Sequence, residues 1–267
     1  CKTVLKSFKK FNEFYNSLEV NLLEISNNLK KIQRKKILDK KVKWIKNLDQ
    51  IKYGPIIFFG NEFFDSLAIK QFCFKENLFF EKCVTLTNDK KDISFVFKKI
   101  KNYQLKKLKD LDLISSGSVI EYPVDAIKYL NKIIKKINQF NGGILTFDYG
   151  YIKNKNQNTL KFIKNHKYIN PLLNANNSDI SSHVNFELLS TILKKNNLNV
   201  KKITTQNEFL KKIGIKERAN IISMKMNFKE KVRLYYNLKK LLDKKEMGSV
   251  FKVLFAQKNN SNFSLGF

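Results

Sequence analysis

The stretch GPIIFFGNEFFDSLAIKQF, residues 54–72, decides the fold. Its apolar run Ile56, Ile57, Phe58 and Phe59 has the length and residue types of a strand buried on both faces. The run stops at Gly60, and Asn61, Glu62 and Asp65 follow with Phe63 and Phe64 among them. A doubly buried strand belongs to a parallel sheet, and in an open α/β sheet ligands bind beyond the carboxyl ends of the strands. An amide and two acids at such an end are candidates for chemistry.

Two other strands end in the same way. LEVNLLEIS reads as a short buried strand over about 20–24, ending on Glu24, with Ser26 capping the next helix, NNLKKIQRKKIL. ILTFDYG gives a strand over 144–147, ending on Asp148. KVKWI, around Trp44, is a further short strand. Ahead of these, residues 3–16 set Val4, Leu5, Phe8, Phe11 and Tyr15 on one helical face.

Between 70 and 120, apolar runs at 72–74, 78–86 and 93–97 are broken by KEN and TNDKKD, the pattern of a β-hairpin insertion. Pro123 then opens a helix whose stripe is Ile127, Leu130, Ile133, Ile134 and Ile137. The turn Asn141-Gly142-Gly143 ends it. A polar loop leads to a helix over 186–195. The strand VKKITT, a helix closed by Gly214, a helix over 227–243 and the last strand GSVFKVLFAQ complete the chain. Strands alternating with helices predict an α/β fold with a mainly parallel sheet. The expected organisation is one domain over 1–267, with an inserted β-rich and helical subdomain at about 70–120.

Composition narrows the function. An apolar fraction of 43% with 23 Phe in 267 residues is globular. No apolar run approaches the roughly 20 residues that span a bilayer. Cys1, Cys73 and Cys83 have neither disulfide-scaffold nor zinc spacing, which predicts a reducing compartment. The net charge of +29 first suggests nucleic acid. Yet the basic residues are nearly all Lys, with Arg only at 34, 218 and 233, and they spread along the chain. They read as a solvated surface, so nucleic acid is not the expected partner.

A carboxylate at a strand end accepts O–H bonds from a ribose diol, and charge-assisted bonds are the stronger kind. Asn61 offers a donor and an acceptor, which suits an adenine edge, a zwitterionic amino acid or an incoming substrate nitrogen. Taken singly, an acid ending a strand is most often a cap or turn residue, and Phe63 and Phe64 read first as core. His166 and His183 have no second ligand at helical spacing, so no metal site is expected. No nucleophile elbow, P-loop or zinc signature is present.

Six stretches occur in an order that resembles the MidA-type S-adenosylmethionine-dependent methyltransferases: LEVNLLEISNNLKKIQ, GPIIFFGNEFFDSLAIKQF, GGILTFDYG, DISSHVNF, FLKKIGIKERA and MGSVFKVLFA. They run from Leu18 to Ala256. That family includes the mitochondrial enzyme implicated in assembly of respiratory complex I. The resemblance implies a Rossmann-like class I methyltransferase fold with one antiparallel C-terminal strand, and S-adenosyl-L-methionine as cofactor. It implies cofactor contacts at Glu24, Ser26 and Asn61. Catalytic roles would fall on Glu62, Asn61, Asp65 and Asp148, and substrate contacts on Phe64, Tyr149, Asp179 and His183. A protein arginine is the implied acceptor, with a respiratory complex I subunit as one candidate partner and a homodimer as a candidate assembly. The compartment would be the cytoplasm for a bacterial chain, or the mitochondrial matrix for a eukaryotic one.

Three departures stand out. The family's loop Gly-Pro-Gly-x-Gly is absent, and its expected place lies just before Cys1, because an acid falls roughly 20 residues beyond such glycines and Glu24 fits that spacing. The chain thus reads as lacking its first strand and glycine loop. In addition, Ala68 stands where the family has Pro, and Asn185 where it has Asp. A non-enzymatic alternative is a basic protein- or RNA-binding module on the same scaffold. A nicotinamide-dependent oxidoreductase is disfavoured, because no hydride-transfer constellation is visible.

Overall fold

The computed structural model describes residues 1–87, 92–114, 119–153, 158–164, 167–170, 172, 178–258 and 263–267. They form two compact units, Cys1–Tyr53 and Gly54–Phe267.

In the first unit, strands β1 (Val20–Leu23) and β2 (Val42–Ile45) pair in parallel from Val20 opposite Val42 to Leu23 opposite Ile45. The crossover between them is the helix Asn27–Lys36, started by Ser26, whose Oγ accepts the Leu29 N–H at 3.3 Å. The single helix expected over 3–16 is two, Lys2–Phe8 and Asn12–Ser17. Phe8 is the reason for the break. Its carbonyl accepts the Phe11 N–H three residues on, and its ring meets Phe14 edge-to-face at 5.0 Å. Phe11 is thereby left exposed instead of joining Leu5 in the core.

The second unit is built on β8 (Gly142–Tyr151). The earlier strands of this unit are β3 (Ile56–Asn61), β4 (Lys70–Lys75), β5 (Leu78–Leu86), β6 (Ile93–Lys99) and β7 (Val119–Tyr122). β3 runs parallel to β8, from Ile56 opposite Gly142 to Asn61 opposite Phe147. The later strands are β9 (Lys161–Lys164), β10 (Lys167–Tyr168), β11 (Asp179–Ser181), β12 (Val184–Asn185), β13 (Asn199–Val200), β14 (Thr204–Thr205) and β15 (Phe251–Gln257). β12 adds in parallel to the last two residues of β8. β15 lies antiparallel along β8, and β13 and β14 pair antiparallel with β15. This is the α/β fold the order of elements predicts, a parallel core closed by an antiparallel C-terminal strand.

β6, β5, β4 and β7 make a separate four-stranded antiparallel sheet, followed in part by the helix Asn102–Asp110, where the sequence shows its hairpin pattern. β9, β10 and β11 form a small third sheet.

The helix Val124–Phe140 covers β3 and β8 with Leu130, Ile133, Ile134 and Ile137, each worth about 1.5–3 kcal/mol on burial. The helix Phe186–Lys195 buries Phe186, Leu188, Leu189, Ile192 and Leu193. Two glycines are fixed by close approach. A Cβ on Gly142, which has φ +118°, would fall 1.8 Å from the Ile56 oxygen, and one on Gly150 2.2 Å from the Val184 oxygen.

Three expectations are corrected. β3 is not buried on both faces: Ile57 is 76% and Phe59 67% exposed, while Ile56 is buried and Phe58 partly so. Asp148 does not end a strand. It sits inside β8, opposite Lys252, since β15 prolongs the sheet past Phe147. VKKITT is not one strand but β13 and β14, separated where the Lys201 N–H donates to Phe255 O.

Candidate functional site

Asn61 is the last residue of β3, and the chain turns sharply after it. Glu62 adopts the left-handed region, φ +51°, and donates its N–H to Phe147 O at 3.0 Å. A β-branched residue would be strained at this φ; a Glu tolerates it at a modest cost. The next three N–H groups converge on one oxygen. Asp148 Oδ2 accepts from Phe63 at 3.1 Å, Phe64 at 2.8 Å and Asp65 at 3.4 Å. Asp148 Oδ1 accepts the Tyr149 N–H at 3.0 Å. Successive backbone donors around an anion make a nest, and here the anion is a side chain of the neighbouring strand. Asp148 is 0% exposed, so it offers no surface to a substrate.

The groups that do reach solvent are Asn61 and Glu62. Asn61 Nδ2 donates to Glu62 Oε1 at 3.1 Å, and both residues are exposed. Asp65 is half-buried, and its Oδ1 is enclosed without a partner. The electrostatics follow from this crowding. Burial, then the neighbouring Asp65, pushes the Asp148 carboxyl up to about 7 against the backbone donors that favour its anion. Burial, then the charge of Glu62, raises Asp65. Burial, and then Glu62, Asp65 and Asp148, raise the Tyr149 phenol. The Tyr149 ring packs on Phe251 with centroids 4.1 Å apart.

Phe64 is buried and lines a cavity of about 20 Å³, together with Ile69, Glu121, Tyr151 and His183. Room of that order holds one water. Phe63 meets Phe64 at 5.1 Å and Tyr129 at 5.3 Å. Phe64 is buried and Phe63 partly buried, so both rings pack within the unit, with Phe64 also bordering the cavity. The segment bearing Asp179 and His183 is tied to the loop, because the Ser182 N–H donates to Asp65 O at 3.0 Å. His183 donates its backbone N–H to Thr159 Oγ1 at 2.9 Å. Asp179 is exposed on β11, where it pairs with Ile163. The structure thus gathers Asn61, Glu62, Phe64, Asp65, Asp148, Tyr149 and His183 around one turn. His166 lies outside the described residues.

Glu24 and Ser26 belong to the other unit. Glu24 Oε1 accepts the Ser26 N–H at 2.9 Å, and Oε2 accepts Gln33 Nε2 at 3.0 Å. Gln33 Oε1 in turn accepts Trp44 Nε1 at 2.8 Å, which fixes the whole arrangement. A carboxylate has about four acceptor positions, so Glu24 keeps acceptor capacity for the two hydroxyls of a diol, which fits a ribose. Among the described residues no group of three or more His, Cys, Asp or Glu could hold a metal ion, and no helix is long and apolar enough to cross a membrane.

One residue escaped the sequence reading. Glu121, on β7, accepts the Thr159 N–H at 2.9 Å, Gln71 Nε2 at 3.0 Å and the Leu160 N–H at 3.2 Å on Oε1, and Thr159 Oγ1 on Oε2. It ties β4 and the segment 158–160 to β7. Burial, then Glu121, pushes the Tyr151 phenol up to about 12. The signal was an acid set between Val119-Ile120 and Tyr122-Pro123, where an apolar strand has no use for a charge.

Comparisons with known proteins place the chain in a family and match its fold. Residues 1–204 match the profile of a family described as "Putative S-adenosyl-L-methionine-dependent methyltransferase". Over 212 residues the chain is 31% identical to the protein arginine methyltransferase NDUFAF7 homolog, mitochondrial, of Caenorhabditis elegans, covering 78% of this chain and 49% of that protein. It is 22% identical to the mitochondrial protein arginine methyltransferase NDUFAF7 of Xenopus tropicalis, covering 93% of this chain and 63% of that one. The chain therefore spans about half to two thirds of the length of these relatives. Two crystal structures of Burkholderia thailandensis proteins share the fold. One, bound to S-adenosyl-homocysteine, has a TM-score of 0.77 at 20% identity and covers 93% of this chain and 66% of its own. The other, a native structure, has a TM-score of 0.79 at 21% identity, with 93% and 68% covered.

Proposed function

Since the chain belongs to the family of S-adenosyl-L-methionine-dependent methyltransferases, we propose that it methylates a nitrogen of a protein side chain, with arginine as the acceptor. The observation that carries this reading is the turn at 61–65, where an exposed amide and acid are held at a strand end by the buried Asp148. The relatives named as protein arginine methyltransferases support the choice of acceptor. A subunit of respiratory complex I is the finer candidate for the methylated protein, on resemblance alone.

S-adenosyl-L-methionine, when bound, would supply a sulfonium methyl group in exchange for a proton of the acceptor nitrogen, leaving as the neutral thioether. The residues supply placement and charge. Glu24 would accept the ribose hydroxyls with the acceptor positions that Ser26 and Gln33 leave open. Glu62, exposed and held by Asn61, orients a cationic guanidinium and receives its proton. Asp65 adds negative charge behind it. Asp148 touches neither cofactor nor acceptor in this scheme: it is a positioning residue that fixes the backbone from which Glu62 projects.

Calorimetry with S-adenosylmethionine, beside a transfer assay of labelled methyl into protein, tests the proposal. Binding together with label recovered as methylarginine is expected. Binding of a nicotinamide dinucleotide in its place, or label recovered on another residue type, would overturn it.

A further inference from the structure

The helix Phe228–Leu242 carries two apolar stripes, and only one is used. At about 100° per residue, Leu234, Leu238, Leu241 and Leu242 fall on one side of the helix and are partly buried. Phe228, Val232, Tyr235 and Tyr236 fall on the other and are exposed, Phe228 at 81%. No residue of this helix is fully buried. Tyr235 is partly committed, donating its hydroxyl to Asn220 Oδ1 at 3.0 Å, but Phe228, Val232 and Tyr236 lead away from the unit's core. Met224, just ahead of the helix, is exposed at 78%, and Ile221 is exposed with it. A chain gains nothing in water by presenting these side chains.

One border of the exposed stripe is cationic. Lys229, Arg233 and Lys240 run along one edge, and within 228–242 five basic residues face a single acid, Glu230. Lys229, Glu230, Val232, Arg233 and Tyr236 line an open depression of about 440 Å³, in which two cations and two apolar side chains outnumber the one acid. An apolar row flanked by Lys and Arg is the pattern of a helix lying in the plane of a membrane interface.

We propose that this helix is a docking surface for an anionic lipid bilayer. Phe228, Val232 and Met224 enter the headgroup boundary, while Lys229, Arg233 and Lys240 meet lipid phosphates and carboxylates. Charge complementarity selects this occupant. A second copy of the chain carries the same net +29 and is repelled on approach. A soluble polyanion would neutralise the lysines but leave the apolar row in water. The proposal is independent of methyl transfer.

Sedimentation of the whole chain with vesicles of phosphatidylcholine, alone or mixed with phosphatidylserine, tests it. Binding to the mixed vesicles and little to phosphatidylcholine alone is expected. The double variants Phe228→Ser/Val232→Ser and Lys229→Glu/Arg233→Glu should each lower partitioning at least ~tenfold. All four side chains are exposed, so the melting temperature should not move. Charge reversal that weakens binding while the serine variant does not would overturn the proposal, because attraction would then be electrostatic only. So would equal binding to both vesicle types. So would a concentration-dependent dimer, seen by sedimentation velocity, that the serine variant abolishes, or binding to polyglutamate that the serine variant abolishes, which would assign the surface to an acidic protein.

Discussion

Asp148 Oδ2 accepts the Phe64 N–H at 2.8 Å across 84 residues of sequence, and the same oxygen takes the N–H groups on either side of it. The middle of one strand thus dictates the course of the loop that leaves the next.

Replacing Asp148 should cost more than a surface contact would. Asp148→Ala removes the carboxylate acceptor of four buried or half-buried N–H groups, those of Phe63, Phe64, Asp65 and Tyr149, at about 3–5 kcal/mol in total. Asp148→Asn keeps an acceptor oxygen and should lose about half as much. Urea unfolding followed by circular dichroism reads the difference. An Ala variant as stable as the Asn variant would show that the loop holds its course without the carboxylate.

The Asp65–Asp148 pair predicts a pH dependence. Asp148 rises from its ordinary 3.8 to about 7, and Asp65 is raised too, so the folded state binds protons more tightly than the unfolded chain does. The stability this pair contributes is complete below the ordinary carboxyl range and is lost as pH rises through about 7. Asp65→Asn removes the repulsion, so it should stabilise the protein more at about pH 8 than at about pH 5. Thermal melts of both proteins across that range measure it, and a stabilisation independent of pH would refute the coupling.

Glu62 is exposed, and among the described residues its side chain is hydrogen-bonded to Asn61 alone, so its loss should leave folding alone. Glu62→Gln should leave the melting temperature and S-adenosylmethionine affinity unchanged, while methyl transfer falls ~100-fold, the lower range for loss of a proton acceptor. Transfer at the parental rate would remove Glu62 from the mechanism.

Glu121 should behave in the opposite way. Glu121→Ala takes the acceptor from the Thr159 N–H and hydroxyl and leaves Gln71 Nε2 and the Leu160 N–H with Asn158 Oδ1 alone, at a cost of about 2–4 kcal/mol. It should also bring the Tyr151 phenol down from about 12, since Glu121 is part of what raises it. Spectrophotometric titration of the tyrosines checks this independently of stability.

The course of the main chain was largely open to reading. The runs at Ile56 and Ile144 and the stripe from Leu130 to Ile137 are local patterns, and their periodicity is set by the same burial that folds them. What stayed hidden depends on partners far away in sequence. The position of Asp148 inside β8 follows from β15, which supplies Lys252 opposite it. The one-sided burial of β3, with Ile56 enclosed and Ile57 and Phe59 exposed, depends on the helix Val124–Phe140, which packs on this strand from far along the chain. The site residues were legible as an acid-rich strand end, but their division of labour was not. An exposed Glu62 and an enclosed Asp148 look alike as letters, and the difference lies in which backbone groups surround them.

The pairing of β15 with β8 also carries a consequence for synthesis. Gln257 lies opposite Gly143, a separation of 257 − 143 = 114 residues, and Val253, Leu254 and Ala256 are almost wholly enclosed once that pairing forms. While the ribosome is still making the segment between them, the strand that bears Asp148 has one side unclaimed, an open template for another nascent chain. Release of the last strand, more than completion of any helix, is then the step that ends this exposure, and chains stalled shortly before Phe251 are the ones that holdase chaperones should retain.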